Sequence, residues 1–140
     1  MKRVLFLCTG NTCRSPMAEC LFNAKGLEHR AQSAGVYALS GAPATDGAQR
    51  AMQRRGLTLE SHKSTAVTSV LLEMVDLVVG MTPTHIMQLQ MMYPQCTTPM
   101  IAFDAPAVSD PYGGDDAAYE RAAQDIERQL PGLIGRLKEE

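Results

Sequence analysis

The sequence predicts an α/β fold, a four-stranded parallel sheet flanked by helices with a phosphate-binding loop after the first strand. Short, almost wholly apolar runs such as Val4-Leu5-Phe6-Leu7 and Leu77-Val78-Val79 alternate with helix-forming segments, the pattern of strands covered on both faces. Between the first run and the first helix lies Cys8-Thr9-Gly10-Asn11-Thr12-Cys13-Arg14-Ser15. Open parallel sheets bind ligands where strands end and helices begin, which is the position of this loop.

Taken in order, Arg3 to Cys8 is the first strand. Ser15-Pro16 opens a helix, a cap residue followed by proline at the first helical position, and Gly26 stops it after Lys25. Ala31 to Ala34 is a second strand ending at Gly35. Thr45 to Arg55 is a helix closed by Gly56, and Thr68 to Val75 is another with Glu73 and Asp76 on its outer face. Leu77 to Met81 is the third strand. Thr82-Pro83 opens a helix reaching Met92, whose methionines at 87, 91 and 92 recur at helical spacing and are assigned to the core. Pro99 to Phe103 is the fourth strand. The last helix runs from Asp115 toward Lys138, with Pro131 and Gly132 expected to kink or split it. No repeat or flexible linker divides residues 1–140, which are read as one domain.

A net charge of −2 offers no basic field for nucleic acid or an anionic membrane surface. The apolar runs fall far short of the ~20 residues of a membrane span, and the N-terminus lacks a signal-peptide core. Three of the four cysteines crowd into residues 8 to 20, a poor framework for loop-closing disulfides, so reduced thiols and a cytoplasmic location are expected. No His/Cys/Asp cluster has metal-ligand spacing, and neither metal nor cofactor is expected.

The chemistry concentrates in the loop. Its backbone N–H groups, from Thr9 through Cys13, and the helix terminus behind them can converge on a tetrahedral oxyanion. Arg14 adds a planar fork matched to two phosphoryl oxygens. That positive field favours Cys8 as a thiolate nucleophile, although a cysteine at a strand end also serves as a small buried hydrophobe. Ser15 is placed to donate to the Cys8 sulfur, a role compatible with capping the helix. Asn11 tolerates a positive φ and Gly10 adopts one freely, so both suit a strained loop. The loop lacks the Gly-Lys-Ser/Thr ending of a Walker A motif.

Displacement at phosphorus also needs a proton donor for the leaving atom. Asp110, in Asp110-Pro111-Tyr112-Gly113-Gly114, is the best placed, with a local turn cap as its alternative role and Asp104 as a weaker rival. His62 is read as structural support for the loop. Cys13 either packs beneath it or forms a reversible disulfide with Cys8. Cys20 and Cys96 are read as ordinary thiols.

Val4 to Glu19, VLFLCTGNTCRSPMAE, resembles the low-molecular-weight protein tyrosine phosphatases. The likeness continues at Ser33-Ala34-Gly35, His62-Lys63-Ser64, Asp76 to Met81 and Asp110-Pro111-Tyr112, and so covers nearly the whole chain. It implies a metal-independent phosphoprotein phosphatase with Cys8 as nucleophile, Arg14 as phosphate clamp and Asp110 as acid and then base, releasing inorganic phosphate. It also implies Asn11, Ser15 and His62 as loop-positioning residues and Cys13 as the redox partner of Cys8. Tyrosine-directed members usually carry an aliphatic residue where this chain has Thr12. The branch acting on phosphoarginine resembles the chain in its Cys-Thr-Gly-Asn-Thr-Cys-Arg-Ser loop and in Asp-Pro followed by an aromatic and Gly-Gly. Threonine trims the wall that would grip a phenyl ring, and a guanidinium carries donors that an apolar slot leaves unmet. Tyr112 forms a stacking wall suited to either group. Protein phosphoarginine is therefore favoured over phosphotyrosine.

Two rivals stand beside that reading. Arsenate reductases share a similar loop, but need a cysteine relay just after the Leu-Val-Val strand, where this chain has Gly80-Met81-Thr82, with Cys96 alone further on. They also usually carry glutamine where this chain has Pro16. A non-catalytic phosphate reader would keep the cradle, yet both Cys8 and Asp110 are present.

Overall fold

The computed structural model describes residues 1–138. Its elements are β1 (Arg3–Cys8), α1 (Arg14–Asn23), β2 (Arg30–Gly35), α2 (Asp46–Gln53), α3 (Ser69–Met74), β3 (Leu77–Gly80), α4 (Pro83–Met92), β4 (Met100–Ala102) and α5 (Asp116–Lys138). The four strands form one parallel sheet in the order β2-β1-β3-β4. Chain order and spatial order diverge at β1, which lies between β2 and β3. The loop after β1 therefore emerges beside the ends of two other strands.

Alternation along β1 sorts the core into two layers. Val4 and Phe6, with Leu77 and Val79 of β3, pack against Met17, Leu21 and Phe22 of α1, Met52 of α2 and Ile126 and Leu130 of α5. Leu5 and Leu7, with Val78, face Leu72 of α3 and Ile86 and Leu89 of α4. Helix starts follow the capping residues: Thr45, Thr68 and Thr82 accept from the N–H groups of Ala48, Leu71 and His85 respectively.

Several expectations need correction. α1 begins at Arg14, with Cys13 in the cap position and no side-chain cap bond, so Ser15 is a helical residue and not the cap. α5 runs unbroken through Pro131. Its buried stripe of Tyr119, Ala122, Ala123, Ile126, Leu130, Leu133 and Leu137 keeps helical period on both sides, while Pro131 itself is exposed. Packing along that stripe outweighs the lost donor. Asp76 lies beyond α3, and its Oδ2 accepts from Arg3 N–H at 2.7 Å, tying the start of β1 to that of β3. Met87, Met91 and Met92 are exposed and not core; the buried face of α4 is His85, Ile86 and Leu89. Helical spacing alone does not say which face is inward, and here a histidine takes the place of a methionine.

Candidate active site

β1 delivers Cys8, 3% exposed, to the carboxyl edge of the sheet. Residues 9–13 turn back into α1, whose uncapped first turn leaves its backbone N–H groups without a side-chain acceptor. Such a terminus suits an oxyanion. Asn11 makes the turn possible, with φ at 58°. Gly10, expected to share that role, lies outside the positive-φ region.

Asn11 is fully buried and bonded on every side. Its Nδ2 donates to Ser15 Oγ at 2.8 Å and to Ser33 Oγ at 2.9 Å, and its Oδ1 accepts from Thr65 N–H at 2.8 Å. Its backbone carbonyl accepts from His62 Nε2 at 2.7 Å. Ser33 in turn donates to Glu19 Oε1 at 2.5 Å. Burial raises the Glu19 carboxyl above the usual range, against the Ser33 hydrogen bond and the nearby His62. Ser15 Oγ accepts from Asn11, lies 2.9 Å from Cys8 Sγ and reaches the Ala34 carbonyl at 3.5 Å.

Gly35, at the end of β2, passes directly behind this turn. A Cβ there would strike the Thr9 carbonyl oxygen and come within 3.0 Å of Asn11 N. The Val36 and Tyr37 N–H groups then donate to the Cys8 and Thr9 carbonyls at 2.9 and 3.0 Å.

Arg14 is 6% exposed, and its Nη1 donates to the Val108 carbonyl at 3.0 Å. Its Nη2 lies 3.8 Å from Asp110 Oδ2, whose side chain is 59% exposed. Asp110 Oδ1 also accepts from Tyr112 N–H at 3.1 Å, so the turn cap and a carboxylate facing the loop coexist. Cys8, Thr9, Gly10, Thr12, Cys13, Arg14, Asp110 and Tyr112 together line a cavity of about 260 Å³. Asp104 is not among its lining residues.

Cys13 is buried as a free thiol, 3.6 Å from Thr45 Oγ1 and 3.7 Å from Tyr119 Oη. Burial, first among its causes, raises the Tyr119 phenol. Cys20 and Cys96 are free and half-buried. Cys96 precedes β4 and so lies toward the amino edge of the sheet, opposite Cys8. A larger cavity of about 790 Å³ lies behind the loop, lined by Glu19, Ser33 and His62. Its own thiol, Cys20, is pushed up by burial and then by Glu19, the reverse of an activated nucleophile.

Sequence reasoning missed His85. In the first turn of α4 and 4% exposed, it places Nε2 3.0 Å from Thr9 Oγ1 and 3.5 Å from Arg14 Nη2. Burial, and then the Arg14 charge, lowers its pKa to about 4, against a smaller opposing pull from Asp110. The signal was a histidine just after Thr82-Pro83, at the end of β3. Reading it required knowing that β3 lies next to β1.

Residues 3–140 match the family model described as low molecular weight phosphotyrosine protein phosphatase. The chain is 33% identical to a protein-arginine-phosphatase of Bacillus subtilis, over 98% of this chain and 97% of that one. It is 31% identical to a probable low molecular weight protein-tyrosine-phosphatase, EpsP, of Ralstonia nicotianae, over 99% and 97% of the two chains. It also superposes on YwlE arginine phosphatase, a cysteine-to-serine mutant with a phosphorylated active site serine, at a TM-score of 0.90, with 33% identity and 97% and 95% coverage. Whole-chain matches of this kind, with the Cys8 to Ser15 loop folded as a cradle, leave one assignment: the chain belongs to the low-molecular-weight phosphotyrosine protein phosphatase family and is a cysteine-dependent protein phosphatase.

Proposed function

We propose that the chain hydrolyses protein phosphoarginine through a cysteinyl-phosphate formed on Cys8. The Cys8 thiolate attacks phosphorus, the P–N bond breaks, and the leaving guanidine nitrogen takes its proton from Asp110. Water, deprotonated by the same Asp110, then attacks phosphorus and breaks the P–S bond. This restores the thiolate and releases inorganic phosphate. Arg14 and the backbone N–H groups of Thr9, Gly10, Asn11, Thr12 and Cys13 hold the equatorial oxygens, Ser15 stabilises the sulfur as leaving group, and His62 steadies the loop through Asn11. Side chains complete this cycle, so the proposal involves no metal or cofactor.

One observation carries the reading: Cys8, Arg14 and Asp110 share a single small cavity, with Ser15 Oγ 2.9 Å from the sulfur. Phosphoarginine is preferred because Thr12 and Tyr112 line that cavity, with a hydroxyl where an aliphatic side chain would favour a phenyl ring. The arginine-phosphatase names of the Bacillus subtilis and YwlE relatives support the same choice. Phosphotyrosine, supported by the EpsP relative, is the second reading. The proposal places the chain as a single domain acting on phosphoproteins in the cytoplasm; among the described residues no helix is long and apolar enough to cross a membrane.

The test is kcat/KM on matched phosphoarginine and phosphotyrosine peptides for wild type, Thr12→Ile and Cys8→Ser. Cys8→Ser is expected to be inactive on both, and the preference for phosphoarginine is expected to collapse in Thr12→Ile. A wild-type preference for phosphotyrosine returns the protein to the second reading.

A further inference from the structure

We propose that His85 is a positioning residue of this site, a neutral imidazole with its proton on Nδ1, whose Nε2 lone pair aims Arg14 and turns the Thr9 hydroxyl. The inference rests on the reading of Arg14 as the phosphoryl clamp. It begins with a constraint of chemistry: a guanidinium only donates hydrogen bonds. Arg14 Nη2 lies 3.5 Å from His85 Nε2, so that nitrogen presents a lone pair. A proton there would point at a cation.

The other ring nitrogen agrees. Nδ1 lies 3.0 Å from Thr82 Oγ1, which also accepts from the His85 backbone N–H at 3.4 Å. Thr82 is thus both the cap of α4 and the acceptor for Nδ1–H, and its place on the helix terminus sets the plane of the ring. With Nε2 an acceptor, Thr9 Oγ1 at 3.0 Å becomes the donor. Its hydrogen is directed at His85, which leaves oxygen lone pairs for the rest of its surroundings.

A histidine buried only for packing needs one partner per nitrogen, and Thr82 and Thr9 would suffice. The third contact, to the clamp, goes beyond that need. It restrains the Nη2 arm of a guanidinium whose Nη1 arm is already held by the Val108 carbonyl. Two anchors on different elements, the Val108 loop and α4, fix the rotation of a planar fork, the condition for bidentate contact with phosphoryl oxygens.

The decisive experiment compares His85→Leu, His85→Asn and His85→Gln with wild type on an aryl phosphate, with vanadate and inorganic phosphate as inhibitors. Glutamine places a carbonyl oxygen near the Nε2 position; asparagine reaches Thr82 but not Arg14; leucine supplies no acceptor. Loss of one hydrogen bond to a charged group predicts that His85→Leu and His85→Asn lose kcat and vanadate affinity by about 10- to 100-fold, with KM and phosphate inhibition moving far less. His85→Gln is expected to recover to within about threefold of wild type, on the same estimate of what the restored bond supplies. Independently, ¹⁵N chemical shifts of wild type near neutral pH are expected to show Nδ1 protonated and Nε2 bare.

Wild-type vanadate inhibition in His85→Leu or His85→Asn overturns the proposal, as does the opposite tautomer. A folded His85→Gln as impaired as leucine does so too. Should His85→Leu fail to fold, asparagine supplies the same comparison. Cys8→Ser, assayed in parallel, separates the two levels. Turnover retained there removes the cysteinyl-phosphate reading itself. Its loss beside a fully active His85→Leu removes only the role of the histidine.

Discussion

Asn11→Ala tests how the cradle is built. Asn11 is fully buried and its side chain makes three hydrogen bonds, to Ser15, Ser33 and the Thr65 N–H. At about 1 kcal/mol each these contribute roughly 3 kcal/mol, and alanine leaves the Thr65 N–H without that partner. Alanine also meets the φ of 58°, which costs a residue with a Cβ about 1–2 kcal/mol. The expected loss is therefore about 4–5 kcal/mol, against a total stability on the order of 5–15 kcal/mol. Asn11→Gly isolates the two causes: it removes the hydrogen bonds but tolerates the backbone, and is expected to lose about 3 kcal/mol. Urea unfolding, followed by circular dichroism, measures both midpoints. A loss below about 1 kcal/mol in alanine would refute the hydrogen-bond account. Glycine less stable than alanine would refute the backbone account.

Asp110→Ala is expected to slow hydrolysis of a phenyl phosphate far more than of a nitrophenyl phosphate, since only the poorer leaving group needs the proton; equal losses on the two, read as kcat/KM, remove Asp110 as the acid. Gly35→Ala drives a Cβ into the Thr9 carbonyl and is expected to cut kcat/KM by at least about 10-fold through displacement of the loop, checked beside its melting temperature. His85 makes stability depend on pH, because its folded pKa of about 4 lies below the ordinary 6.5. The unfolded chain therefore binds the proton first as pH falls: the neutral fold is fully favoured above about 6.5, and roughly 3 kcal/mol is lost by about pH 4. His85→Gln lacks that titration, so the stability difference between it and wild type, measured by urea unfolding, is expected to shrink or invert across this window. A pH-independent difference refutes the assignment.

What could be read in the sequence was local. β1, α2 and α4 announce themselves through an apolar run and through Thr45, Gly56 and Thr82-Pro83, because caps and turns act over three or four residues. Cys8, Arg14 and Ser15 were legible for the same reason, since one loop fixes their spacing. The missed features depend on contacts across the fold. Pro131 suggests a kink or split because its effect on the backbone is local, whereas the stripe that keeps α5 one helix is tertiary. The exposed methionines of α4 and the inward His85 share one cause, a helix face set by the neighbouring β1 and β3. Asn11, Ser33 and Glu19 form a chain across α1 and β2 that no spacing within one segment reveals.

The arginines show how the fold separates holding a charge from neutralising it. Between α2 and α5, Arg50, Arg54 and Arg55 meet Asp116, Glu120 and Glu127 in ion pairs as short as 2.7 Å. Hydrogen bonding from Arg55, first among the causes, lowers the Glu120 carboxyl to about 2. Arg14 is more buried than any of these, yet it is held by a carbonyl and a neutral imidazole, with Asp110 at 3.8 Å. A tight carboxylate on the fork would occupy the sites that phosphoryl oxygens need, and binding would have to break it first. In the proposed mechanism a neutral frame would aim the cation without satisfying it, leaving its field available to the charge that develops at phosphorus. The distance to Asp110 serves the same end. At 3.8 Å from Arg14 Nη2 and tied to the Tyr112 turn, the Asp110 carboxylate leaves the fork open to the phosphoryl oxygens of the proposed mechanism.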